Sequence, residues 1–172
     1  EIEKVWRDDT KKLSYRYTWS FLENGEEGVV FWIEKIHTRH DFRWKHPVHE
    51  VLEYSGKDPL MITKAENIQL NHYPDSTKSR NQYLPLLEMS VKEEPDDDRN
   101  MHYLGREYMF NGMWEKCIET LKIHLSLPKA KWDAERSASM RYIAKSYYNL
   151  GNNNEAKKWY YKAIAEADYL RE

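Results

Sequence analysis

The chain has a single cysteine among 172 residues, Cys117. No intramolecular disulfide can form, and the expectation is a reducing, cytoplasmic setting. Cys-x-x-Cys is absent, and His37 and His40 are three apart, which on a strand sends them to opposite faces. A closed structural zinc site is therefore not expected. Long apolar runs are missing as well, so no membrane span is expected, and no signal-peptide pattern is visible. Nor is there an excess of one charge: 27 basic and 29 acidic residues leave a formal net charge of -2. That balance gives no field to attract nucleic acid or an anionic membrane. An initiating methionine is lacking too, and the opening at Glu1 reads as an excised piece of a longer protein.

What is abundant is aromatic. Seven Trp, 13 Tyr and 4 Phe make up 14% of the residues, a composition suited to half-buried surfaces with polar tips, including carbohydrate and peptide sites. Leu13, Tyr15, Tyr17, Trp19 and Phe21 alternate with Ser14, Arg16, Thr18 and Ser20, which predicts a half-buried strand over 13–21. Asn24-Gly25 supplies a turn, and 29–37 returns as a second strand. Ser55 to Pro59 reads as a loop, and a last short strand is predicted over 66–72, with Ile68, Leu70 and His72 on one face.

Between these lies the densest chemistry, Phe42 to Leu52, holding Trp44, His46, His49 and Glu50 around Pro47. Proline fixes its own φ and pushes His46 toward extended geometry. A carboxylate flanked by imidazole and apolar residues suits general base work, because partial burial moves its pKa toward neutral. His72, at the end of an apolar face, suits a metal ligand, although a hydrogen-bonded structural histidine is at least as common.

Beyond Asp75 the period changes from two to about 3.6. A helix is predicted from Ser79 to Val91, started or kinked by Pro85. The run Asp96-Asp97-Asp98 follows Pro95 and reads as helix-capping acids rather than a metal motif. Two helical hairpins then repeat, at about residues 98–128 and 137–170. Leu104-Gly105, Tyr108, Gly112, Cys117, Leu121 and His124 recur as Ile143-Ala144, Tyr147, Gly151, Ala156, Tyr160 and Ala163. This pattern resembles the tetratricopeptide repeat, with the two turn glycines 39 residues apart instead of the family's 34. Cys117 and His124 stand where the family carries alanines and read as packing residues.

As a whole the series is similar to the C-terminal part of a bacterial family-two glycosyltransferase followed by tetratricopeptide repeats. It runs from Arg43-Trp44 and Val48 to Leu52, through Leu70 to Pro74 and Arg80-Asn81, to Tyr103-Leu104-Gly105-Arg106-Glu107-Tyr108. The resemblance implies an α+β chain: residues 1–74 as a small antiparallel sheet ending a GT-A domain, and 75–172 as an array of helical hairpins. It implies inverting transfer from a nucleotide-sugar to an acceptor, with a divalent cation (Mn or Mg) beside the donor. On that resemblance Glu50, or its neighbour His49, stands at the catalytic base, Trp44 walls the acceptor pocket, and His72 reaches the metal. The nucleotide-binding half and its Asp-x-Asp motif are absent, so the fragment by itself is expected to be inactive and to hold no cofactor. The competing reading is a non-catalytic interaction module, whose repeats bind a protein partner or a second copy.

Overall fold

The computed structural model describes residues 1–75, 77 and 82–170. Ser79 at the expected helix start, and the motif pair Arg80-Asn81, lie outside them. The chain is α+β. One turn of helix, α1 (Ile2–Val5), precedes β1 (Lys12–Thr18), β2 (Val30–His37), β3 (Phe42–Lys45), β4 (Val51–Tyr54) and β5 (Ile62–Asn71). Then come α2 (Tyr83–Glu93), α3 (Asp98–Phe110), α4 (Trp114–Ser126), α5 (Asp133–Asn149) and α6 (Asn153–Glu166). Two compact units result: Glu1–Lys45 with His49–Lys78, and His46–Val48 with Ser79–Glu172. The sequence reading set a single break, between residues 74 and 75.

In the first unit β1 pairs antiparallel with β2, joined through Asn24-Gly25. Gly25 takes φ 83°, and the Asn24 side chain accepts from the Glu26 N–H at 3.0 Å. The third strand corrects the expected antiparallel sheet: β5 runs parallel to β1, in the order β2-β1-β5. A parallel strand needs the chain brought back to the start of its neighbour; β2 makes that return, since His37 and Ile62 both pair with Lys12, and the stretch carrying β3 and β4 links β2 to β5. The alternation over 13–21 also breaks. Register shifts after Leu13 and Tyr15 leave Thr18 fully buried and Trp19 half exposed, and the strand ends at Thr18.

That buried threonine anchors a polar cluster. Thr18 Oγ1 donates to Glu27 at 2.8 Å, Gln69 Nε2 donates to the same carboxylate at 2.8 Å, and Arg16 grips it through both amines, one at 2.6 Å. The Arg16 guanidinium, then the Thr18 hydroxyl, pull the Glu27 carboxyl from 4.5 down to about 2. A group depressed in the folded state adds stability above its unfolded pKa and loses it as pH falls through the folded value. Both side chains are about one-third exposed, so solvent screens the effect. Urea midpoints should therefore fall between pH 4.5 and about 2, and Glu27→Gln should flatten that part of the profile. An unchanged acid profile in the variant would remove this cluster from the account.

The segment around Pro47 forms an unexpected hairpin. Trp44 pairs with Leu52 and Arg43 with Glu53, and Arg43 Nε donates to the Glu53 carboxylate at 2.6 Å. His46 is not extended, as its place before proline predicts, but takes φ 68°, and His49 takes φ 57°. Such values cost energy outside glycine and persist where surroundings over-determine them. The surroundings of His46 are visible: its Nδ1 lies 2.9 Å from Asn100 Oδ1, and Val48 is buried in the core of the helical unit.

That unit follows the sequence closely. Pro85 sits in the first turn of α2, where no N–H is needed. Asp97 caps α3 by accepting from the Asn100 N–H at 2.8 Å, as the acidic run predicts. Both hairpins turn through the same device. Gly112 and Gly151 take φ 69° and 77°, and the N–H groups of Met113 and Asn152 reach back to the carbonyls of Tyr108 and Tyr147 at 2.9 Å. This is the Schellman closure that needs glycine just past a helix end. Leu87, Leu104, Cys117, Leu121 and Ile143 form the core.

Candidate functional site

Three places carry chemistry. The first lies in the β unit, where Lys35 on β2, Trp44 on β3 and Glu50 just before β4 line one pocket. The Lys35 ammonium stands 5.6 Å from the Trp44 ring centroid, within cation–π range. An indole face beside one ammonium and one carboxylate can stack on an apolar ring face while donating to and accepting from its hydroxyls. Trp44 and Glu50 thus meet, but Glu50 is exposed, so the partial burial expected from its apolar neighbours is not found. His49 is half-buried in its left-handed conformation. Lys35 was missed, because a lysine on an exposed strand position carries no sequence signal of a site.

The second place holds His72. It stacks on Trp19 at 4.6 Å with a 9° interplanar angle, and beside them Phe21 stacks on Tyr73 at 5.2 Å. These four line a pocket separate from that of Glu50. His72 Nδ1 lies 3.1 Å from the Trp19 carbonyl, which can only accept, so the neutral ring keeps its proton on Nδ1. Its Nε2 is left able to bind a cation. Among the described residues, however, His72 belongs to no group of three metal-ligating side chains.

The third place is the helical unit. An apolar groove runs beside α5 and α6, lined by Ser137, Arg141, Tyr160, Ala163, Ile164 and residues just beyond α6. Ile164 is 63% and Tyr161 72% exposed. Deeper in, His102 and His124 are buried with Glu135 close by; the sequence reading missed His102 and Glu135 and treated His124 as packing. Cys117 is fully buried, and burial pushes its thiol up to about 11. A thiol held neutral there is no nucleophile.

No family model matches the chain, and no curated protein matches it. Among solved structures, "MamA MSR-1 C2", a TPR-like protein, matches at 25% identity with a TM-score of 0.45, over 52% of this chain. The chain spans 48% of that structure's length. Nothing in these comparisons supports the glycosyltransferase resemblance. No helix among the described residues is long and apolar enough to cross a membrane.

Proposed function

We propose that this chain acts as a protein-interaction scaffold, in which two helical hairpins of tetratricopeptide-like design hold an apolar peptide segment. The observation that carries this is the groove beside α5 and α6, walled by Tyr160, Ala163 and Ile164 and left open to solvent. A helix that leaves Tyr161 and Ile164 mostly exposed presents more apolar surface than a solvated face requires. Helical pairs use such faces to receive apolar anchors from a partner. Random-peptide display against the whole chain should enrich sequences with apolar anchors. Ile164→Asp, at a position exposed enough to leave folding intact, should weaken those peptides by at least about 10-fold, since burying an aspartate against their anchors is unfavourable. Peptides bound equally well by the variant would place the interaction elsewhere.

One observation favours a second reading, the acceptor side of a glycosyltransferase: Trp44 and Glu50 share a single pocket with Lys35. In that reading the nucleotide-sugar and its Mn or Mg ion belong to donor-binding parts that this sequence does not contain, Glu50 or His49 is the base, and His72 serves the cation. The two readings are compatible, because they use different units of the chain.

A further inference from the structure

We propose that His102, His124 and Glu135 form a buried divalent-metal site of zinc type, which ties together α3, α4 and α5. Each residue comes from a different helix of the same unit, and their ligand atoms all lie within 4.8 Å of one another. Two imidazoles and one carboxylate make a donor set that zinc accepts with a fourth ligand from water. An ion at the centre of a triangle of that edge stands at most about 2.8 Å from each atom, against roughly 2.0–2.2 Å in a closed site. Small side-chain rotations close the difference.

The hydrogen bonding is compatible with a cation there. Ser139 Oγ lies 2.7 Å from His102 Nδ1 and 3.1 Å from His124 Nδ1. A hydroxyl oxygen has two lone pairs, so Ser139 can accept an N–H from both imidazoles, or accept from one and donate to the other. When it accepts from both, each ring keeps its proton on Nδ1 and offers a bare Nε2, the state that coordination by both histidines requires. His124 is fully buried, and its Nε2 has no hydrogen-bond partner although Glu135 Oε1 is 3.4 Å away. With the proton on Nδ1, an imidazole lone pair faces a carboxylate, an arrangement of two acceptors that a cation between them converts into coordination. Ser139 then orients both rings from behind, the usual second layer of a histidine metal site. Serine, histidine and glutamate in series could also suggest a hydrolytic triad. Ser139 is fully buried with its hydroxyl committed to two imidazoles, so no substrate reaches it.

This site is independent of the scaffold and glycosyltransferase readings, and its failure leaves both standing. The test uses the whole chain, stripped with EDTA and titrated with Co²⁺ and then Zn²⁺. One equivalent of Co²⁺ should give the intense visible absorption of a four-coordinate site, Zn²⁺ should abolish it stoichiometrically, and Zn²⁺ should raise the melting temperature. Glu135→Gln removes a ligand while keeping size at a position on the edge of the core, and should raise the Zn²⁺ Kd by about 100-fold or more. Ser139→Ala should raise it by about 10–100-fold as an orienting residue. His124→Gln should abolish the cobalt spectrum; should that variant not fold, Glu135→Gln decides alone. No cobalt absorption and no thermal shift would overturn the proposal. So would binding that survives Glu135→Gln, which would belong to surface histidines.

Discussion

Leu121→Ala should destabilise the helical unit by roughly 2–5 kcal/mol, the range for truncating a fully buried leucine. Leu121 has no exposed surface and sits in the core with Leu104, Cys117 and Ile143. Its side chain lies against Gly105, where α3 and α4 cross so closely that a Cβ on Gly105 would collide with the Leu121 side chain. Gly105→Ala should therefore lose about 1–3 kcal/mol to overpacking, offset by the roughly 0.8–1 kcal/mol that alanine gains over glycine in a helix. Truncating Leu121 makes room for the new methyl group, so the double variant should lose clearly less than the two single losses combined. Coupling between touching residues runs to about 0.5–3 kcal/mol. Urea unfolding followed by fluorescence of Trp114 and Trp159, which pack against this core, measures all four proteins. Simple additivity, or a Gly105→Ala chain more stable than the parent, would mean the crossing is looser than described.

The crossing was legible because its residues are periodic. Gly105, Gly112 and Leu121 recur at fixed offsets as Ala144, Gly151 and Tyr160, and local chemistry dictates the turns that separate the helices. Asp97 was legible for a similar reason, since a cap acts on the next three residues only. The β unit was less readable. Most of β5 is exposed, so no buried face marked its register or its parallel direction. The strands β3 and β4 are four residues each, too short for alternation to register. At His46 the preference set by the following proline lost to contacts formed with Asn100 across 54 positions of sequence. Trp44 and Glu50 line one pocket because the five-residue loop that follows β3 ends at Glu50, which keeps them close in sequence and in space. His102, Ser139, His124 and Glu135 could not be found this way. Only the packing of three helices brings them together, and each by itself looks like an ordinary helix residue.

On the glycosyltransferase reading, Glu50→Gln carries the other large expectation, to be measured with donor-binding parts present. Glutamine keeps the size of the side chain and most of its hydrogen bonding, but it cannot accept the acceptor's proton. Loss of a general base lowers turnover by roughly 10²–10⁴-fold. Donor binding should change little, because Glu50 lines the pocket with Trp44 and Lys35 and not the one with His72. Trp44→Ala should raise the acceptor KM, since it removes the indole face on which the acceptor would stack. His72→Ala should act differently: if its Nε2 serves the cation, donor or metal binding weakens while the proton step is spared. Folding sets the background for all three. Glu50 and Trp44 are exposed, and neither substitution opens a core cavity, so both variants should melt with the parent. A folded Glu50→Gln enzyme that turns over within a few-fold of wild type would remove Glu50 as the base. His49 next to it would be tested by the same measurement, through His49→Gln. If both variants retained activity, the pocket of Lys35, Trp44 and Glu50 would remain a binding surface, and the groove beside α6 would carry the function of the chain.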